Sequence, residues 1–170
     1  FSCNQRYDAD IKVFVVENHK LPRVSFNLTI DNAPHSEGNK AGVSSLTSML
    51  IGSGSEKISK DTFNEEVDFL GADISFSNSG AYANGLSKYS KRILELMAEG
   101  ALHTNFTQAE FDKQKAKLIE SLKATEKSVP SVSRRVENAL AYGKSHPFGE
   151  FITEASINNI TLDDVILNFN

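Results

Sequence analysis

The sequence predicts an α+β fold in which an antiparallel sheet is backed by helices, and three observations carry the prediction. Residues 24–30 alternate, with Val24, Phe26, Leu28 and Ile30 on one face and Ser25, Asn27 and Thr29 on the other, the pattern of a half-buried strand. Runs at about 72–78 and 81–88 read as two more strands turning through Asn78-Ser79-Gly80, and strands joined by so tight a turn run antiparallel. Much of the remaining chain has apolar residues at helical spacing behind capping residues. Strands and helices in blocks, rather than strict alternation, favour α+β over a parallel α/β sheet.

Taken in order, residues 11–17 (IKVFVVE) read as a mostly apolar strand, and His19-Lys20-Leu21-Pro22 supplies a break. After the strand at 24–30, a polar loop over 32–39 leads to a helix opened by Gly42, with Val43, Leu46, Leu50 and Ile51 apolar and Gly54-Ser55 closing it. Asn39 is the expected N-cap. The next helix starts at Ser59, carries Phe63, Val67 and Leu70, and stops at Gly71. Beyond the strand pair, a helix over about 90–102 has Ile93, Leu94, Met97 and Ala101 on its expected buried stripe. Thr107 and Glu110 form a candidate capping box, with Phe106 and Phe111 as a hydrophobic staple, for a helix running to about 127. Ile160-Thr161-Leu162-Asp163-Asp164-Val165 repeats this arrangement with an aspartate in place of the glutamate, and marks a last helix.

The 170 residues suit one domain, residues 1–170, and 39% hydrophobic residues allow a substantial core. A formal net charge of -4 gives no basic footprint, so nucleic acid is not an expected partner. No run approaches the roughly 18 apolar residues of a membrane-spanning helix. Cys3 is the only cysteine, so no intrachain disulfide forms. Phe1-Ser2-Cys3-Asn4 resembles the end of a bacterial lipoprotein signal. One expectation is therefore a lipid anchor on Cys3, and the other an ordinary thiol.

The stretch GVSSLTSMLIGSGS from Gly42 to Ser55 has the frame of a peptidase zinc helix without its ligands. With Glu17 to Val24, Leu70-Gly71-Ala72, Phe106 to Glu120 and His146-Pro147-Phe148-Gly149 in order, the chain resembles the M16 family of insulinase, pitrilysin and mitochondrial processing peptidase. The resemblance spans nearly the whole chain and implies a LuxS/MPP-like metallohydrolase half-domain. Active members carry H-x-x-E-H on this helix, two histidines for zinc and a glutamate to activate water. Here the three positions fall on Ser45, Ser48 and Met49. A hydroxyl is a poor zinc ligand and a thioether prefers softer metals. The family's third ligand, a glutamate about seventy residues further on, aligns with Glu120, followed by Ser121 rather than a second acid. No catalytic, cofactor or metal residue is therefore expected in this chain, and Glu120 reads as a solvated helix residue.

His19, His35, His103 and His146 are dispersed, and lone loop histidines are usually surface groups. Ser44, Ser45 and Ser48 have no G-x-S-x-G elbow and no adjacent base; they read as small side chains lining a cavity where a metal site used to be. Gly52 and Gly54 lack the lysine of a phosphate loop and read as helix termination.

The resemblance implies a pseudo-peptidase domain that pairs with a zinc-bearing homologous half around a chamber for peptides, the zinc belonging to the partner. An Arg-Tyr pair contributed by the non-catalytic half would lie beyond Asn170. The alternatives are a longer zinc endopeptidase whose H-x-x-E-H lies elsewhere in the chain, and a structural core-type subunit. Resemblance to bacterial members implies a periplasmic or cell-envelope location.

Overall fold

The computed structural model describes residues 3–8, 11–18, 20–31, 33–52, 54–55 and 57–169, with only the backbone described for 3–8 and 11. Phe1, Ser2, His19 and the Cys3 side chain, which carry some of the sequence readings, lie outside that description.

The alternating runs form one antiparallel sheet, with β5 (Gly80–Leu86) between β3 (Arg23–Thr29) and β4 (Asp73–Ser77). Leu28 and Phe76 both lie opposite Ala81, and Phe26 and Ile74 both lie opposite Ala83. Opposed residues share a face, so bulky side chains on the outer strands flank small ones in the centre. The small centre admits α3 (Ser90–Leu102): a Cβ on Gly85 would stand 2.5 Å from Cδ1 of Ile93. Ile93, Leu96 and Met97 fill this core together with Phe63 and Leu70 of α2 (Lys60–Leu70). The expected stripe of α3 is corrected at one residue, since Leu94 is 45% exposed and Leu96 fully buried. The opposite face of the sheet is polar, as for an antiparallel sheet covered on one side. There Arg23 donates to Asn84 Oδ1 at 2.7 Å, and Asn84 donates to Asp73 Oδ2 at 3.4 Å.

Ser59 caps α2 by accepting the Thr62 N–H at 3.2 Å, and Gly71 ends it in the left-handed conformation at φ 58°. At α4 (Gln108–Glu126) only half of the expected box forms. The Thr107 hydroxyl accepts the Glu110 N–H at 3.4 Å, but the Glu110 carboxylate turns to Lys60 Nζ and Gln114 Nε2. An ammonium and an amide hold a carboxylate more strongly than one backbone N–H does.

A second core joins α1 (Val43–Leu50), α4 and α7 (Leu162–Phe169) through Leu46, Leu50, Phe111, Ile160 and Val165. Here the box is reciprocal: Asp164 Oδ2 accepts the Thr161 N–H at 2.9 Å, and the Thr161 hydroxyl accepts the Asp164 N–H at 3.3 Å. Asp164 also accepts from Lys40 Nζ. The Lys40 bond and the Thr161 donors hold its carboxyl at about 2, below the ordinary aspartate value. Because the folded-state pKa is depressed, the stabilisation is complete above about pH 4 and is lost as the pH falls toward 2. Asp164→Asn should flatten the acid limb of the stability curve in that window, as read by thermal melts at pH 2 to 5; an unchanged limb would count against the assignment.

The apolar run at 11–17 does not join the sheet. β2 (Ile11–Val16) instead pairs with β1 (Cys3–Asp8) in a separate two-stranded ribbon, from Cys3 opposite Val16 to Asp8 opposite Ile11. The first strand carries the mixed sequence CNQRYD, which gives no alternation to read. Within the expected run of helices, α5 (Val129–Tyr142) has Pro130 in its first turn, where the missing N–H removes no helical bond. It is followed by the short α6 (Glu154–Asn158).

Candidate functional site

The site is built around α1. Its N-terminus is capped neither by Asn39, which falls in a 3-10 turn over Gly38–Lys40, nor by the side chain of any immediate neighbour. The Glu37 carboxylate reaches forward to accept the N–H groups of Gly42 at 2.5 Å and Ser44 at 3.0 Å. A negative charge here also complements the positive end of the helix dipole. Gly42 makes the approach possible at φ 107°, a conformation glycine tolerates.

Glu37 is in turn positioned by Glu150. That carboxylate accepts from the Ser36 hydroxyl at 3.0 Å, the Glu37 N–H at 2.9 Å and the Gly38 N–H at 2.6 Å. Burial pushes the Glu150 carboxyl up, but these donors and the nearby His35 outweigh it and leave the group below its ordinary value. Two carboxylates in series thus tie the 36–38 turn to the start of α1. Sequence reasoning missed both, because Glu37 lies five residues before Gly42 and Glu150 more than a hundred residues away.

The zinc-motif positions Ser45, Ser48 and Met49 are all half-buried on α1. The Ser48 hydroxyl donates to the Ser44 carbonyl at 2.9 Å and accepts the Asn78 N–H at 3.1 Å. It therefore pins α1 to the turn between β4 and β5. Ser48→Ala should lose about 1 kcal/mol by removing the acceptor of that N–H, measurable by urea unfolding; no loss would show that water replaces the hydroxyl without penalty.

Glu120 is not brought to these residues by its place on α4. The inward stripe of that helix runs through Phe111, Gln114 and Leu118. At about 100° per residue, Glu120 sits about 180° from Phe111, and it is exposed. Among the described residues no group of three or more His, Cys, Asp or Glu could hold a metal ion. The donor set of two hydroxyls, a thioether and a remote carboxylate does not fit zinc.

A cavity of about 720 Å³ lies against α1, in contact with Ser44, Thr47 and Ile51. Its wall is completed by Leu28 and Phe76 from the sheet and by Phe148 and Phe169. Of the three serines expected on a cavity wall, Ser44 lines it, whereas Ser45 and Ser48 do not; neither does Met49. The cavity is thus offset around the helix from Ser45, Ser48 and Met49. Among the described residues no histidine or carboxylate hydrogen-bonds the hydroxyl of Ser44, Ser45 or Ser48.

Phe76, one of the cavity's lining residues, is itself closely held. A Cβ on Gly52, just past α1, would stand 2.3 Å from its ring, and one on Gly100 of α3 would stand 2.4 Å away. The ring therefore occupies a slot that two glycines leave open. His146 does not line the cavity, unlike its neighbours Pro147 and Phe148; it lies in the 146–149 turn, closed by the Gly149 N–H to the His146 carbonyl at 2.9 Å. Its ring stacks on Tyr142 at 5.3 Å and Nδ1 accepts the Phe148 N–H at 3.2 Å, a structural role within the turn. His35 lines the cavity, and His103 follows α3 at the surface. Among the described residues no helix is long and apolar enough to cross a membrane.

Comparison with solved structures places the fold. Over 99% of this chain, it superposes on 43% of a structure of the inactive domain of a peptidase M16 from Pseudomonas fluorescens, with TM-score 0.85 and 22% identity. Over 96% of the chain, it superposes on 41% of a protease from Helicobacter pylori, with TM-score 0.80 and 18% identity. The chain thus spans less than half the length of either. No curated protein matches it. The sequence pattern of Insulinase (Peptidase family M16) matches residues 12–147, most of the chain. With that match and this architecture together, the chain belongs to the M16 insulinase family of peptidases.

Proposed function

We propose that this chain is a catalytically inactive M16-type domain that pairs with a zinc-bearing homologous half to enclose a chamber for peptides. The observation that carries the reading is the state of α1: its capped start and its buried Leu46 and Leu50 are in place, while Ser48 at the position of the catalytic glutamate is engaged with Asn78. A helix preserved in packing and stripped of ligands supports a role in binding and assembly. The zinc, on this reading, belongs to the partner half. An extended peptide would add to the outer edge of β4, the strand that α1 flanks through the bond to Asn78.

The test is peptide cleavage by the purified protein alone, by a co-purifying zinc-bearing homologue, and by the two mixed, each with and without a chelator. Chelator-sensitive cleavage that rises at least about tenfold on mixing, equivalent to about 1.4 kcal/mol of transition-state stabilisation, is the expected outcome. Absence of both association and stimulation would sink the proposal.

A second reading, in which the chain is one part of a longer zinc endopeptidase, is favoured by its likeness to part of a longer chain, that of a protease from Helicobacter pylori. Chelator-sensitive cleavage by the purified protein alone would favour this reading. Location in a bacterial periplasm, with or without a lipid on Cys3, is compatible with either and is tested by fractionation and mass spectrometry of the native protein.

A further inference from the structure

The 146–149 turn is closed in part by a side chain that a proton can switch. Its backbone closes through the Gly149 N–H to the His146 carbonyl at 2.9 Å, with Pro147 at the position where a fixed φ suits a turn. The side chain adds a second closure, in which Nδ1 of His146 accepts the N–H of Phe148, two residues on, at 3.2 Å. Asparagine closes turns in the same way with its carbonyl oxygen. Histidine differs from asparagine in that its acceptor is a titratable nitrogen. An Nδ1 that accepts carries no hydrogen, so the neutral ring has its proton on Nε2. The next proton must then land on Nδ1, the atom that holds Phe148.

What the proton leaves in place decides which contact gives way. The imidazole stacks on Tyr142, the last residue of α5, with centroids 5.3 Å and planes 20° apart. The His146 N–H bonds the Gly143 carbonyl at 3.2 Å, just past the end of that helix. The turn packs closely on the same helix end, since a Cβ on Gly149 would stand 2.0 Å from the Gly143 carbonyl oxygen. A cation is favoured both over an aromatic face and at a helix C-terminus, so the charged ring stays on α5. Phe148 is the partner that loses, because its N–H then faces a second donor. The Phe148 ring meets His146 at 5.4 Å and Tyr142 at 5.5 Å, and it lines the cavity beside α1. The charged groups around the turn are engaged elsewhere. Lys144 Nζ and the Arg135 guanidinium of α5 stand over the Phe151 ring at 5.9 and 5.1 Å. The Glu150 carboxylate accepts from Ser36, Glu37 and Gly38, with His35 nearby.

We infer that His146 is a proton-operated latch on the cavity wall. Neutral, it fixes Phe148 in the wall; protonated, within the range of about pH 8 to 5 where histidine changes charge, it lets go of the Phe148 N–H and frees the ring to move. The inference goes beyond the chamber reading, because it requires neither a peptide nor a homologue and is read from the protein alone.

The test is nuclear magnetic resonance of the purified protein, labelled with nitrogen-15 in histidine and phenylalanine and titrated from about pH 8 to 5. At the alkaline end Nδ1 of His146 should give the shift of an unprotonated nitrogen and Nε2 that of a protonated one. On acidification the protection of the Phe148 amide against solvent exchange should fall about fivefold, as for the loss of one ordinary hydrogen bond, with the midpoint of His146. The signal of a fluorinated Phe148 ring, identified by its absence in Phe148→Leu, should move over the same range. His146→Asn supplies an acceptor that no proton removes, so its Phe148 amide should stay protected at every pH. His35 remains in that variant, which separates the two histidines. An Nδ1 protonated at the alkaline end overturns the inference. So does Phe148 protection or a ring signal that does not follow His146, or an Asn variant that loses protection on acidification as the wild type does.

Discussion

Gly80→Ala is expected to destabilise the protein by at least about 3 kcal/mol, among the largest losses a single methyl group can cause. Gly80 opens β5 at φ 145°, and a Cβ there would stand 1.9 Å from the carbonyl oxygen of Leu28 and 2.9 Å from its carbonyl carbon. The obstacle is backbone, not a flexible side chain, and it belongs to the neighbouring strand. Relieving the clash means moving β3 away from β5 where the Ile30 N–H is bonded to Ser79 at 2.8 Å. Gly71 supplies the control: it too has positive φ, at 58°, but nothing lies within 4 Å of its added Cβ. Gly71→Ala should therefore cost only about 1 kcal/mol of left-handed backbone strain. Urea unfolding of the two variants separates the effects, and equal losses would refute the steric account.

The second large effect is expected at Phe76. Phe76→Ala should cost about 3–5 kcal/mol, because its ring fills the slot beside Gly52 and Gly100 and also meets the Phe63 ring at a centroid distance of 6.2 Å. Neither glycine has a side chain that could collapse into the space, so the void persists. The reverse experiment is Gly100→Ala. Alanine gains about 1 kcal/mol in helix propensity over glycine, yet a methyl 2.4 Å from the ring forces repacking that costs about 1–3 kcal/mol. A net loss is expected in chemical denaturation; a net gain would mean that the ring moves aside freely.

These two positions mark where the sequence was legible and where it was not. The Asn78-Ser79-Gly80 turn, the alternation of β3, the Ser59 cap and the Thr161-Asp164 box are all local, and their signals lie within a few residues of the structure they specify. Gly52 was legible as the end of α1, where its φ is 77°, but its place beside Phe76, like that of Gly100, carried no local signal, because the ring comes from another element. The same holds for α1: its apolar spacing was readable, but its cap comes from Glu37, oriented by Glu150 across most of the chain. The half-formed box at Thr107 went astray because Lys60 competes for Glu110. The run at 11–17 was recognised as a strand, and its pairing with β1 was not legible, since a two-faced apolar pattern gives strand identity without naming a neighbour. At the candidate site, the absence of ligands at Ser45, Ser48 and Met49 was evident from residue type. The separation of the cavity from those positions required the helix to be seen against the sheet.

The bond from the Asn78 N–H to Ser48 bears on the history of the fold. Once a hydroxyl at position 48 serves as the anchor of the β4–β5 turn, writing the family's glutamate back there removes that anchor before any metal is gained. That glutamate serves to activate a zinc-bound water, and without the two imidazoles there is no zinc to hold the water, so the first step back would carry a loss and no benefit. On the proposed reading, reversion by single substitutions thus runs uphill at its outset, because the architecture has put the hydroxyl to a structural use.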